Sequence, residues 1–425
     1  MLNSIYMIVC KIWKRLFVDL GISMTSNSIR YWGVFVVLLI LWRSSEEVGE
    51  IETQSEVGLI NLAKIVNQIG FQLYPEIAGD GNVFFSPFSL SSLFGMLYLG
   101  TRGPQSQVIG EKLGFEGTNF GGKDVHETFK ELTALLADNS IYVANGVFLQ
   151  SGLKILDSYK TKLGQYYDGK LTELDFANNL DVATNYINHW VSQKTRNKIS
   201  ELFSGNSLGG AILVALNVIY FKESWSLKFN PINTNPTTFF NLNGEEVMVP
   251  MMAQKATFLY GFNSDLMIHV LDILYTGNKT SMLLVLPEEN VDLSFVERAL
   301  NPEFLNRLSK ELENTLVDLS LPRFKLSLKY EDNELKRALS AIGLLGFFSL
   351  DYSGIGEDRG LTLSDVVHKA VLEVNEEGTE AAAVSGAVFR GVPIVRVNHP
   401  FLFFIKDRQT GLVLFMGRVN NMPSA

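Results

Sequence analysis

The chain is almost without cysteine. Cys10 stands alone among 425 residues, so no disulfide forms within the chain and no thiolate metal site can be built. Histidine is sparse too. His126, His189, His269, His368 and His399 are scattered, and none falls in H-E-x-x-H or another zinc spacing. No Walker or dinucleotide-binding glycine pattern lies between a strand and a helix. Neither a metal nor a cofactor is expected. An excess of positive charge is also missing. The 36 Lys and Arg against 45 Asp and Glu give a formal charge of -9. That disfavours a general nucleic-acid binder, although a local basic patch remains compatible with it. After Glu46 there is no Pro/Gly/Ser-rich linker, no long charge run and no repeat. Apolar patterning is continuous, at 47% hydrophobic and 19% charged residues, and predicts one large domain over residues 46–425.

A membrane-length apolar run is lacking as well. The run Tyr31–Trp42 is twelve residues long, where a spanning helix needs about 20. It follows Arg30 and ends at Arg43-Ser44-Ser45. A basic residue, a short apolar core and small polar residues make a secretory signal. Residues 1–45 are therefore expected to be a signal region, with a membrane anchor as the plain alternative. Met24 is the more typical start, and residues 1–23 an upstream extension. The mature protein is expected to be secreted and free of membrane.

Apolar spacings of three and four predict helices over Gly58–Leu73, Ser89–Leu99, Val125–Leu136, Ser158–Tyr167 and Asp181–Phe203. The second half reads as strands: Ala211–Phe221, Ser281–Leu286, Leu316–Leu321, Ala370–Val374, Phe401–Ile405 and Leu412–Met416. Helices first and strands later argue for an α+β fold. Gly205-Asn-Ser207-Leu-Gly209 matches the nucleophile-elbow pattern, but that motif needs a strand before its serine and a helix after it. Here a helical segment precedes and a strand follows, so it reads as a turn. A hydrolase acting through Ser207 is the enzyme rival, and a covalent serine probe would label it.

Residues 373–400 separate an apolar strand from an apolar hairpin, and so long a loop is usually functional or mobile. Alternate positions from Thr379, namely Ala381, Ala383, Ser385 and Ala387, are all small. The other register holds Glu380, Ala382, Val384, Gly386 and Val388. As a strand the segment has one small, near-apolar face and one face bearing the Glu. Gly378 supplies a hinge. A flexible Ala/Gly-rich loop with no insertion is the plain alternative.

Glu376-Glu-Gly-Thr-Glu-Ala-Ala-Ala383 resembles the hinge of inhibitory serpins. Asn398–Ile405 and Gly411–Arg418 resemble the signature that follows their reactive loop. Asn82–Ser89, Leu216–Phe221 with Trp225, Leu321–Phe324 and Val367–Ala370 match in family order. The resemblance covers roughly residues 56–420. It implies a serpin fold with three β-sheets, about eight or nine helices and an exposed reactive loop over about residues 376–397. It further implies a monomeric inhibitor of a serine protease that is bait, not enzyme. Glu376, Glu377, Gly378, Thr379, Glu380, Ala381, Ala382 and Ala383 match the hinge. Ser86, Ser89, Asn217 and His368 match a polar cluster where the main sheet opens. Trp225 matches an aromatic at the top of that sheet. A non-inhibitory carrier serpin is the alternative, and the small residues of the hinge argue against it.

The bait bond departs from the common pattern, because the stretch from Gly378 to Pro400 is short. Counting forward from the hinge puts the cut after Val392, before Pro393; counting back from Asn398 puts it near Phe389. Arg390 lies between, followed by Gly391, and is the only basic residue of the loop before Pro393. A guanidinium suits the acidic pocket of trypsin-like enzymes. The segment Lys123–Leu136, which matches the helix that binds sulfated polysaccharides in some serpins, has no basic stripe, so weak or no activation by polyanions and no clear heparin site are expected. Asn278-Lys-Thr280 is a glycosylation sequon in a turn.

Overall fold

A computed structural model describes residues 54–136, 141–358, 361–377 and 391–424. The chain divides into Met1–Gly58 and Leu59–Ala425. Of the first unit only residues 54–58 are described, and they are helical. The apolar run 31–42 and most of the bait segment lie outside the described residues. Among the described residues no helix is long and apolar enough to cross a membrane.

Two sheets organise Leu59–Ala425. The first has five strands in the order β10 (Phe324–Tyr330), β11 (Leu363–Val374), β4 (Leu213–Phe221), β2 (Ile141–Gln150) and β3 (Lys170–Leu174). The second runs β1 (Val83–Phe85), β14 (Val413–Val419), β13 (Phe401–Asp407), β8 (Thr280–Pro287), β7 (Ile268–Leu274), β6 (Glu246–Asn263), β9 (Glu313–Pro322) and β12 (Ile394–Arg396). The strand β5 (Asn235–Phe240) pairs with β6 outside this path. The 18-residue β6 explains why nine strands form one array. Its start pairs β5, its end pairs β7, and β9 lies along Met251–Tyr260. Two of the three expected sheets thus run into one another through β6, and the α+β class holds.

Alternation along β4 shows how the five-stranded sheet is buried. Ala215, Ile219 and Phe221 face the main core, which also takes the hairpin Phe401–Ile405 and Val413–Met416. Val214, Leu216, Val218 and Tyr220 face a second core, closed by Ala183, Ile187, Trp190 and Val191 of the helix Leu180–Lys194. Both faces are dry, so every residue of β4 is buried. Nearly continuous apolar sequence is what such a strand requires.

The helix expected over Asp181–Phe203 ends at Lys194. Arg196 and Asn197 adopt left-handed φ values of 50° and 60°, which terminates helical pairing. The apolar pattern continues past this break because residues 198–204 form a strap. The Asn188 Oδ1 accepts from Leu202 N at 2.8 Å and Phe203 N at 3.0 Å, and its Nδ2 donates to Phe203 O at 2.8 Å. Ile199, Leu202 and Phe203 then plug the second core. Ser207 follows in an exposed turn ahead of β4. It has neither a strand before it nor a helix after it, so the elbow geometry is absent.

Candidate functional site

In the five-stranded sheet β11 and β4 are parallel neighbours, hydrogen-bonded directly from Leu363↔Leu213 to Leu372↔Phe221. β10 is antiparallel to β11, and β2 antiparallel to β4. This parallel seam lies at the centre of the sheet. A segment leaving the end of β11 and folding back runs antiparallel to β11. Because β4 is parallel to β11, the same segment is antiparallel to β4 too. One returning strand can therefore pair on both sides if the seam parts.

A polar row crosses the seam. Tyr330, His368, Asn217 and Asn145 are successive cross-strand partners. The His368 ring stacks on Tyr330 at 6.4 Å. Ser86 N–H donates to His368 Nε2 at 3.1 Å, so that nitrogen is the acceptor and the proton sits on Nδ1. Nδ1–H then donates to Asn217 Oδ1 at 3.0 Å, across the seam. Asn217 Nδ2 donates to Asn145 Oδ1 at 2.7 Å, and Asn145 Nδ2 to Tyr167 O at 2.9 Å. Ser86 is the N-cap of the helix Pro87–Leu99. Its Oγ accepts from Ser89 N at 3.1 Å and donates to Leu414 O at 2.6 Å. Ser89 Oγ is buried with no partner among the described residues. Ser86, Ser89, Asn217 and His368 are all fully buried.

Above the seam a second cluster holds the start of the bait segment. Trp225 is buried, stacked on Tyr275 at 4.5 Å and edge-on to Phe229. Its Nε1 donates to Asn375 O at 2.8 Å and its backbone N to Glu377 O at 3.1 Å. Lys222 Nζ lies 3.3 Å from Glu373 and 2.8 Å from Glu377. Glu376 accepts from Thr234 Oγ1 at 2.8 Å and lies 3.7 Å from Arg323. Of these residues Phe229, Arg323, Glu373, Asn375, Glu376 and Glu377 line an open cleft of about 1120 Å³. Gly378, Thr379, Glu380, Ala381, Ala382, Ala383, Phe389 and Arg390 lie outside the described residues. Where the chain resumes, Gly391 is exposed with φ +91° and Val392 is half-buried. Pro393 O accepts from Asp318 N at 3.0 Å, one residue before β12. Among the described residues no group of acids, histidines or cysteines forms a metal site.

A family model described as Serpin (serine protease inhibitor) matches residues 64–422. The chain belongs to the serpin family. Intracellular coagulation inhibitor 1 of Tachypleus tridentatus is 36% identical over 379 residues, covering 86% of this chain and 90% of that protein. Human neuroserpin is 35% identical over 356 residues, covering 80% and 86%. Among solved structures, mouse protein-Z dependent protease inhibitor superposes with a TM-score of 0.78 at 29% identity, covering 87% of this chain and all of that one. Human thyroxine-binding globulin complexed with its hormone superposes with a TM-score of 0.77 at 31% identity, covering 87% and all of that chain. The family takes its description from inhibition of serine proteases, not from catalysis.

Of the clusters in this serpin, sequence reasoning missed Asn145, Tyr330, Lys222 and Thr234. Asn145 carried a signal, being a polar residue inside the apolar run Tyr142–Leu149. Arg323 and Lys222 sat inside or beside quoted motifs without an assigned role.

The His368 environment makes a pH prediction. Burial pushes its pKa down to about 3, against the smaller opposing effect of its hydrogen bond to Asn217. Between about pH 6.5 and pH 3 the unfolded state then binds a proton that the native state refuses. Stability falls as pH drops through that window, by up to about 1.4 kcal/mol per pH unit. Burial also lowers His126, to about 4, and it acts in the same direction. Melting His368→Gln beside the parent at several pH values isolates the His368 share. The slope should be shallower in the variant; equal slopes contradict the assignment.

Proposed function

We propose that this serpin inhibits a trypsin-like serine protease, as a monomer, by offering its loop as a substrate and inserting it at the β11–β4 seam after attack. The single observation that carries the reading is the direct parallel pairing of β11 with β4. Nothing lies between them, and the bait segment leaves from the end of β11. The protease forms an acyl-enzyme on the loop. Cleavage frees one end, and residues from Thr379 onward enter the seam with small side chains toward the main core. His368–Asn217 breaks as the strands part, and Ser86, Ser89 and Asn145 are at hand to re-pair the freed groups. Trp225, Lys222, Arg323 and Thr234 hold Asn375–Glu377 at the point where entry begins.

Arg390 is the preferred bait residue. The bond before Pro393 is a poor one, since Pro393 is already tied to Asp318 at the sheet edge. Gly391, by contrast, is exposed. Arg390→Ala is expected to slow trypsin inhibition by at least about 100-fold. Rate constants for association with trypsin check this, and an unchanged rate overturns the assignment.

Secretion rests on the N-terminal segment alone. Two of the most similar relatives are named intracellular coagulation inhibitors. Asn278 is exposed at the tip of the β7–β8 turn with φ 56°, a position open to a glycan if the chain is exported. N-terminal sequencing of protein from the medium is expected to find residues 1–45 removed; an intact residue 1 contradicts it.

A further inference from the structure

Two lysines oppose each other on the five-stranded sheet. Lys329 of β10 and Lys369 of β11 are direct cross-strand partners, a placement that sets their Cβ atoms about 5 Å apart. Both reach the strap. Lys329 Nζ donates to Leu202 O and Lys369 Nζ to Glu201 O, each at 2.8 Å. The two amines therefore sit on consecutive carbonyls. Lys329 has partners that favour its charge, Glu331 at 2.6 Å and the ring of Phe203 at 5.4 Å. Lys369 forms no ion pair among the described residues and is half-buried. Burial beside a second ammonium is the setting that frees a lysine amine to act as a nucleophile. Burial first, and the Lys329 ammonium second, hold Lys369 below the ordinary lysine range, against the weaker pull of Glu201 and Glu331.

Lys369 also lines a polar pocket of about 560 Å³, with Lys198, Lys325, Lys329, Ser200, Ser204 and Ser327. Lys198 and Lys325 are exposed and form no ion pair among the described residues. Glu201, also exposed, is the one carboxylate in the wall among the described residues. Two ammonium groups and three hydroxyls are the donors that a compact anion such as phosphate requires, and the volume suits a small molecule.

We propose that Lys369 is a modification site for a phosphorylated aldehyde. The nucleophile and the anion seat share one pocket, so a molecule carrying both groups is held while it reacts. The lone pair of the Lys369 amine attacks the aldehyde carbon, and a C–N bond forms. The carbonyl oxygen leaves as water with both amine protons, and an imine remains. No oxidant or reductant takes part. The phosphate stays on the ligand, against Lys198, Lys325 and the serines. An imine has at most one N–H, and that only when protonated, so the seat of Lys369 on Glu201 O weakens. The reaction is independent of loop cleavage and of the inhibitory reading.

The full chain is incubated with pyridoxal 5′-phosphate at neutral pH and treated with borohydride, which reduces the imine to a stable secondary amine. Peptide mapping then reads each lysine against time. Lys369 should be labelled at least about tenfold faster than Lys130 on the helix Val125–Leu136, equivalent to about 1.4 kcal/mol. Lys369→Arg keeps the charge and a donor for the strap, and should abolish the fast phase. Lys325→Gln should slow labelling of Lys369 about two- to fivefold, with an unchanged melting temperature, and excess inorganic phosphate should slow it likewise. With pyridoxal, which lacks the phosphate, the ratio of Lys369 to Lys130 labelling should fall about fivefold. Equal labelling of Lys369 and Lys130 by pyridoxal 5′-phosphate, or a fast phase that survives Lys369→Arg, overturns the proposal. The same ratio with both aldehydes, or no effect of Lys325→Gln and phosphate, overturns the assignment to a phosphorylated ligand.

Discussion

Nicking the loop between Gly378 and Pro393 with a non-target protease is expected to raise the melting temperature by more than about 15 °C. The reason is strand arithmetic. The β11–β4 seam holds nine register pairs in one parallel ladder. An inserted strand replaces that ladder with two antiparallel ones, each slightly more stable per residue. The net gain is about one ladder, or about ten hydrogen bonds at ~1 kcal/mol each. Buried alanine methyl groups add to it. A gain near 10 kcal/mol is comparable to the whole stability of an ordinary domain, ~5–15 kcal/mol. Scanning calorimetry of intact and nicked protein reads the shift. An unchanged melting temperature after complete nicking would mean that the seam does not admit the segment.

His368→Ala is expected to lose about 3–6 kcal/mol of unfolding free energy near neutral pH. Three losses combine in it. Ser86 N–H and Asn217 Oδ1 are left buried without their partner, and the ring stacked on Tyr330 is deleted. The His368–Asn217 bond also spans the seam, so its removal should speed spontaneous loop insertion. Inhibitory activity should therefore fade faster on standing at body temperature. Urea titration and timed activity assays separate the two effects. A loss below about 1 kcal/mol, with activity preserved on standing, would make His368 an ordinary core residue.

Amphipathic elements were legible in the sequence and irregular ones were not. Val125–Leu136 forms over its expected bounds because Val125, Phe129, Leu132 and Leu136 make one buried stripe. Pro104–Lys112 escaped notice because only Ile109 and Gly110 are buried. The long β6 escaped because its neighbours change along its length, which breaks simple alternation. Residues 198–203 read as helix in the sequence because their apolar residues keep a helical rhythm, whereas in the fold they pack as a plug.

The site divides along the same line. The bait segment stood out from its own composition, with small residues in alternate positions. The polar row did not. Ser86, Asn217 and His368 lie more than a hundred residues apart in sequence, and only family resemblance grouped them. Register explains the grouping, since His368 and Asn217 are direct partners across the seam. Asn145 and Tyr330 extend the row for the same reason. Their roles come from strand alignment, which no local pattern reports.

Trapping is the central claim, and it is tested most directly by incubating the chain from Glu46 with trypsin, chymotrypsin and elastase separately. Denaturing gels and mass spectrometry then follow the products. The account predicts a denaturant-resistant complex with trypsin and a released C-terminal peptide beginning at Gly391. Cleavage of the loop by all three enzymes with no complex at any ratio would contradict it.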